Sequence, residues 1–167
     1  MGERPTAFSI KHGHQSVTLN RGRTYMVYEK RMERSGRIAR RLSDLGSQVL
    51  TVTRLHPDLV KERIAMTPGD SIWLCERAGQ RNVSPNQLNR LFQKASEFLS
   101  DNPDGTIIFE GIEYLLLYNE LKKVLTVLER INDLIMSSNA TMVLSIDPPT
   151  LEPRTLAYLR RSAEVIG

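Results

Sequence analysis

Five short apolar runs in this sequence each give way to a charged side chain: Glu29, Arg54, Glu76, Glu110 and Asp147. Carboxylates and a guanidinium gathered at strand ends could hold a metal, exchange a proton with a substrate or bind a polar partner. Glu110 and Glu113 form the closest pair, at i and i+3 across a Glu-Gly turn. That spacing suits metal or acid–base chemistry, and equally a helix-dipole carboxylate beside a cap. The stretch supplies too few ligands for a metal, so the structural role is expected here. Asp147, ahead of two prolines, could join the pair in space or turn the chain through a side-chain-to-backbone bond. Charges also mark where strands exit into water, so a charged rim for a polar ligand or a protein partner stands beside that plainer reading.

Other reactive residues carry less. His12 and His14 flank Gly13 without a third His or Cys at metal-binding spacing, which fits a hairpin tip. His56 follows Arg54 and has no nucleophile near it in sequence. Cys75 closes an apolar run and reads as packing, as does Trp73 between Ile72 and Leu74. No metal and no cofactor are expected.

The loop after the first core run bears on phosphate chemistry. A nucleotide-hydrolysing sheet places G-x-x-x-x-G-K-[ST] there, so that backbone N–H groups and a lysine surround the phosphates. This chain reads Glu29-Lys30-Arg31-Met32-Glu33-Arg34-Ser35-Gly36. It has one glycine, no Gly-Lys-Ser/Thr, and two carboxylates where a phosphate needs donors. Hydrolysis by that route is not expected, and the chain is read as a non-enzyme.

Periodicity supplies the elements that must position these residues. Residues 7–10 and 16–19 read as a hairpin turned near Gly13, an edge decoration over residues 1–20. Core strands follow at 24–29, 48–53, 71–75, 106–110 and 141–146, the last almost wholly apolar, as a strand buried on both faces should be. Helical periods lie between them: 35–46 ending at Gly46, 58–64 opened by Pro57, and a helix from Ser84 with Pro85 at its first position and Gln87 completing a capping box. A turn is expected at residues 68–70. A long helical pattern follows Gly111 and holds to about Met136, and a last helix spans about 153–163. Strict strand–helix alternation predicts an α/β domain over 21–167, with a three-layer, mainly parallel, five-stranded core sheet and helices on both faces. Ligands of such a sheet bind beyond the strands' carboxyl ends.

The chain has 167 residues, 40% hydrophobic and 25% charged. That is enough for one core without disulfides. No apolar run reaches the ~20 residues of a membrane span. The opening MGERPTAF shows no basic-then-apolar leader, and with one cysteine a reducing cytoplasm is the expected compartment. The net charge of +4 is concentrated: residues 29–41 hold six basic side chains against Glu29 and Glu33, and the remainder is balanced. Arg34, Arg37 and Arg41 lie along one flank of that helix, with Arg40 beside them. The flank is either a solvated face or an anion-recognising patch for nucleic acid or an acidic protein surface. The absence of interleaved aromatics argues against single-strand stacking.

Taken together, TYMVYE, VLTVTRLHP, IWLCE, SPNQLNRLFQKASEFL, GTIIFEGIEYLLLYN and MVLSIDPPTLEPRTLAYLRR resemble the archaeal domain-of-unknown-function family numbered 835. The resemblance runs from about Arg21 onward and rests on Thr53-Arg54-x-x-Pro57, the S-P-x-x-L helix start and the E-G-x-E-Y-L turn. More distantly, the plan is similar to RecA- and KaiC-like ATPase domains, in which the strand holding Glu110 would bear an acidic residue supporting magnesium. The resemblance implies a degenerate RecA-like fold without a phosphate loop, of the kind found beside sensory or signalling modules. The expected function is a non-catalytic regulatory or interaction module. Its protein partner would meet Arg34, Arg37, Arg40, Arg41 and Arg54 together with the rim of Glu29, Glu76, Glu110, Glu113 and Asp147. The alternatives are a nucleic-acid- or ribosome-associated protein using the Arg34–Arg41 flank, and a nucleotide sensor or enzyme at the strand-end rim. Self-association is compatible with either.

Overall fold

In the computed structural model, which describes residues 7–12, 14–64 and 71–166, the strand and helix signals resolve into a hairpin followed by a parallel sheet. Strands β1 (Ala7–His12) and β2 (Gln15–Asn20) pair antiparallel, Ala7 opposite Asn20. Gly13, expected to turn them, and residues 68–70, expected to form a turn, lie outside the described residues. The chain continues through β3 (Arg23–Tyr28), α1 (Glu33–Asp44), β4 (Val49–Thr53), α2 (Pro57–Ile64), β5 (Ser71–Leu74), β6 (Asn82–Val83) and α3 (Leu88–Asp101). It ends with β7 (Thr106–Glu110), α4 (Ile112–Tyr118), α5 (Leu121–Met136), β8 (Thr141–Ile146), a 3-10 turn (Pro148–Thr150), α6 (Pro153–Leu159) and β9 (Glu164–Ile166).

The second sheet has the order β6-β5-β4-β7-β8-β3-β9, and its pairings are parallel. The two most apolar strands, β7 and β8, lie side by side in its middle, where both faces are covered. Connections stepping from β3 toward β5 carry α1 and α2; those stepping back toward β9 carry α3 to α6. Right-handed crossovers put the two sets on opposite faces. Accordingly, Tyr25, Val27, Val49, Ile108 and Val143 pack with Ile38, Ala39, Leu42 and Val60 of α1 and α2. Phe8, Ile10 and Leu19 of the hairpin complete that layer. The alternate residues Met26, Leu50, Val52, Ile107, Phe109, Met142 and Leu144 pack with α3, α4, α5 and α6.

Three differences from the sequence reading have local causes. β6 and β9 add an edge strand at each side of the five-stranded core, and two or three residues are too few to show a period. The third helix starts at Leu88, not Pro85, because only half of the capping box forms. The Gln87 side chain accepts the Ser84 N–H at 3.0 Å. The Ser84 hydroxyl, however, donates to Asn86 at 2.7 Å, so the segment stays a turn. The long pattern after Gly111 is two helices. Asn119 breaks it by extending its backbone and donating its amide to Leu115 O at 2.9 Å and to Pro85 O at 2.7 Å.

One polar contact pins α5 to the sheet. The Thr24 hydroxyl donates to Asn132 Oδ1 at 2.6 Å, and both residues are buried. Asn132→Ala leaves that hydroxyl unpaired and should lower the unfolding free energy by about 1–3 kcal/mol in urea titrations. Adding Thr24→Val should restore part of the loss, and the double-mutant cycle reads the coupling.

Candidate functional site

Strand alternation sets a polar row at the carboxyl end of the sheet on its α1 face. Glu110 stands opposite Ser145, and Ser145 opposite Val27, in register across β7, β8 and β3. Thr53 extends the row on β4, and Glu29 lies one strand step beyond Val27. Each carboxylate is already engaged. Glu110 accepts the Thr53 hydroxyl at 2.5 Å and the Arg54 N–H at 3.0 Å. Glu29 accepts the Arg34 N–H at 2.6 Å, the Ser35 N–H at 3.3 Å, the Ser145 hydroxyl at 2.7 Å and the Ser35 hydroxyl.

Glu29 therefore fills the amino end of α1. The first turn of a helix leaves N–H groups without partners and carries partial positive charge, which makes it an anion seat. With Glu29 at the first glycine of G-x-x-x-x-G-K-[ST], Arg34 falls at the second glycine, Ser35 at the lysine and Gly36 at the hydroxyl residue. The N–H groups a phosphate would take at 34 and 35 point instead at a side chain of the same chain. The loop reaches this geometry through Met32, a fully buried non-glycine residue with left-handed backbone, φ 32°. Few residues other than glycine adopt that conformation. Its C=O accepts the Gly36 N–H at 2.9 Å and starts the helix.

Beyond this row, the strand ends form a continuous rim. Arg54 donates to Leu74 O at 2.7 Å and lies over the Tyr114 ring at 3.8 Å. Trp73 Nε1 donates to Arg54 O at 3.2 Å, and His56 packs edge-on against Trp73. Gly111 has φ +107°, and a Cβ there would meet Leu74 and Arg54 at 3.1 and 3.2 Å. The turn after β7 therefore takes only glycine. Burial raises the Glu113 carboxyl above its ordinary value of 4.5; Glu110 and Asp147 push it further, while a backbone hydrogen bond and Arg54 oppose them. Desolvation acts this way because it disfavours the charged form. Tyr118 is raised by the charge of Glu76 and touches Tyr114, which brings the end of β5 into the same rim. Leu117 and Tyr118 expose 79% and 48% of their surfaces beside it. They make an apolar spot among charges.

The structure thus brings Glu29, Arg54, Glu76, Glu110, Glu113 and Asp147 to one end of the sheet and separates them from the arginine flank. Arg37, Arg40 and Arg41 line a groove of about 580 Å³ between α1 and the hairpin, with Ser9, Ile10, Lys11, Ser16 and Asp44. Arg34 is half-buried and donates to Tyr28 O at 3.3 Å, and Arg54 belongs to the rim. No group of three or more metal-ligating side chains occurs among the described residues. Sequence reasoning missed Ser145, Tyr114, Tyr118 and Lys11. Ser145 did leave a signal, a lone hydroxyl in the apolar run 141–146.

The family described as a protein of unknown function, DUF835, matches residues 28–162. The chain belongs to this family. Solved structures with the same fold include a KaiC-like protein from the archaeon Pyrococcus horikoshii OT3, 13% identical, with a TM-score of 0.60 over 87% of this chain and 72% of that one. A second P. horikoshii OT3 protein is 10% identical, with a TM-score of 0.57 over 87% and 80%. The flagellar accessory protein FlaH of Methanocaldococcus jannaschii is 15% identical, with a TM-score of 0.56 over 86% and 69%. No curated protein matches the chain. This DUF835 domain therefore has a KaiC- and RecA-like α/β fold. No helix among its described residues is long and apolar enough to cross a membrane.

Two substitutions test the site's internal chemistry. Glu29→Ala leaves the 34 and 35 N–H groups and two hydroxyls without their acceptor; it should cost about 1–3 kcal/mol in urea titrations, with Glu29→Gln intermediate. Glu113 has a folded pKa above its unfolded one, so its contribution to stability is present below about pH 4.5 and is lost as pH rises through the folded value. Glu113→Gln should therefore gain stability relative to the native chain at pH 7 compared with pH 4, read from denaturation midpoints at both values.

Proposed function

We propose that this DUF835 domain is a non-catalytic interaction module, a regulatory or signalling component that docks a protein partner on a scaffold shaped like a nucleotide hydrolase. The Glu29 carboxylate on the first turn of α1 carries this reading. A triphosphate entering there would have to displace a charge held by two backbone N–H groups and two hydroxyls. It would meet Glu33 and no Gly-Lys-Ser/Thr in exchange. Binding energy is thereby spent inside the chain.

The rim supports the partner half of the reading. Its charges, Glu76 near Tyr118, Arg54 over Tyr114, and Asp147 near Glu113, lie on the same end of the sheet as the exposed Leu117 and Tyr118 of α4. An apolar anchor enclosed by polar residues is the arrangement of a protein–protein contact.

Thermal unfolding with ATP or GTP and magnesium should show no stabilisation, whereas a nucleotide at a hundred times its Kd would add about 2.7 kcal/mol. Partner capture from native lysate should drop at least about tenfold with Leu117→Asp and Tyr118→Ala combined, since central anchors are each worth about 2 kcal/mol or more. A magnesium-dependent nucleotide shift, or unchanged capture by that variant, would refute the reading.

A further inference from the structure

We propose that the groove between the β1–β2 hairpin and α1 binds the phosphate backbone of a B-form DNA duplex. Two elements distant in sequence build it: Lys11 comes from β1, and Arg37, Arg40 and Arg41 from successive turns of α1. Against these four cations the lining holds one carboxylate, Asp44. Arg37 is held by its Nε donating to Glu33 O at 3.3 Å. Among the described residues, the side chains of Arg40 and Arg41 form no hydrogen bond or ion pair, and both are exposed. A cleft lined by charge of one sign concentrates its potential. Guanidinium groups also match phosphate with paired N–H donors. The sequence provides an independent observation: all of the net charge lies in residues 29–41, and the rest of the chain is neutral.

The lining decides which polyanion fits. An acidic protein surface would want an apolar centre to dock against, but the groove's one large apolar residue, Ile10, is buried. Single strands are bound by stacking their bases on aromatic rings, and no aromatic lines the groove. Duplex RNA is read through its 2′-hydroxyls. The groove has no side-chain amide, and its two serine hydroxyls, Ser9 and Ser16, lie 3.5 Å apart and engage each other. What remains is a set of charges suited to phosphates without regard to base sequence. Duplex binding here uses a surface separate from the rim that receives the protein partner.

Fluorescence anisotropy with a labelled DNA duplex of about 20 base pairs, titrated with salt, tests the proposal. Affinity should fall with salt at a log–log slope of about −3 to −4, as about 0.9 per neutralised phosphate requires. Arg40→Glu with Arg41→Glu should weaken binding at least about tenfold and flatten the slope by about 2. Lys11→Glu should act in the same direction from the other wall, and Arg40→Lys with Arg41→Lys should retain most of the binding. Lys122→Glu with Lys123→Glu, exposed on α5, should leave the affinity within about twofold. Unfolding midpoints of each variant separate loss of the groove from loss of the fold. Leu117→Asp with Tyr118→Ala should leave DNA binding intact, so the rim and the groove fail separately. The proposal is overturned if no duplex binds at about 50 mM salt, if the α5 variant loses as much as the groove variant, or if duplex RNA or poly-glutamate binds more tightly than DNA.

Discussion

The carboxylate of Glu29 on the first turn of α1 is the contact that the rest of this domain accommodates. A helix that starts directly after a buried parallel strand brings its positive end to the crevice above the sheet, and something negative must answer it. In a nucleotide-binding sheet the answer is a phosphate, held by a loop bare enough for backbone approach. Here it is a side chain six residues from the farther of the two N–H groups it caps, and Ser145 of the neighbouring strand helps hold it. Glu29 also receives Ser35's hydroxyl, so one carboxylate joins β3, α1 and β8. The loop can then carry Met32 as a buried anchor in a backbone conformation where glycine is the usual residue.

Glu110 applies the same solution two strands away, across β8. Its carboxylate takes the N–H that follows β4 and the hydroxyl of Thr53, so the exits of β4 and β7 are fastened together. With both acids engaged, the crevice holds few unsatisfied donors for a ligand. Charged groups that remain open to a partner lie further out, at the rim around Arg54 and along the groove of α1.

Most of the fold was legible in the sequence because its core strands and helices are long enough to show a period. The five core strands, the helix stop at Gly46 with φ +95° and the hairpin emerge as read. What escaped was short or depended on contacts. β6 and β9 are too brief to carry a pattern, and the break at Asn119 depends on an amide reaching Pro85 O, a residue 34 positions away. The candidate site was half legible. The acidic and basic positions could be placed at strand ends and on a helix flank, but not their partners. That Arg34 turns to the strand end while Arg37 and Arg41 face the hairpin follows from the half-buried position of residue 34, which a helical wheel of the segment alone does not settle.

The segregation of charge then has a physical reading. Glu29 and Glu33 sit in the most basic stretch of the chain, yet neither forms an ion pair with the arginines of the groove among the described residues. Glu29 is committed to two backbone N–H groups and two hydroxyls, and Glu33, in the first turn of α1, complements the positive end of the helix dipole. Acids used at the helix start are unavailable to screen cations one and two turns later, so the same few residues that close the phosphate seat keep the outer face of α1 positive. A carboxylate that merely balanced the segment's charge would have paired with those side chains at i+4. Glu33 meets Arg37 instead through its backbone carbonyl. The closed seat and the open groove are two consequences of one helix terminus.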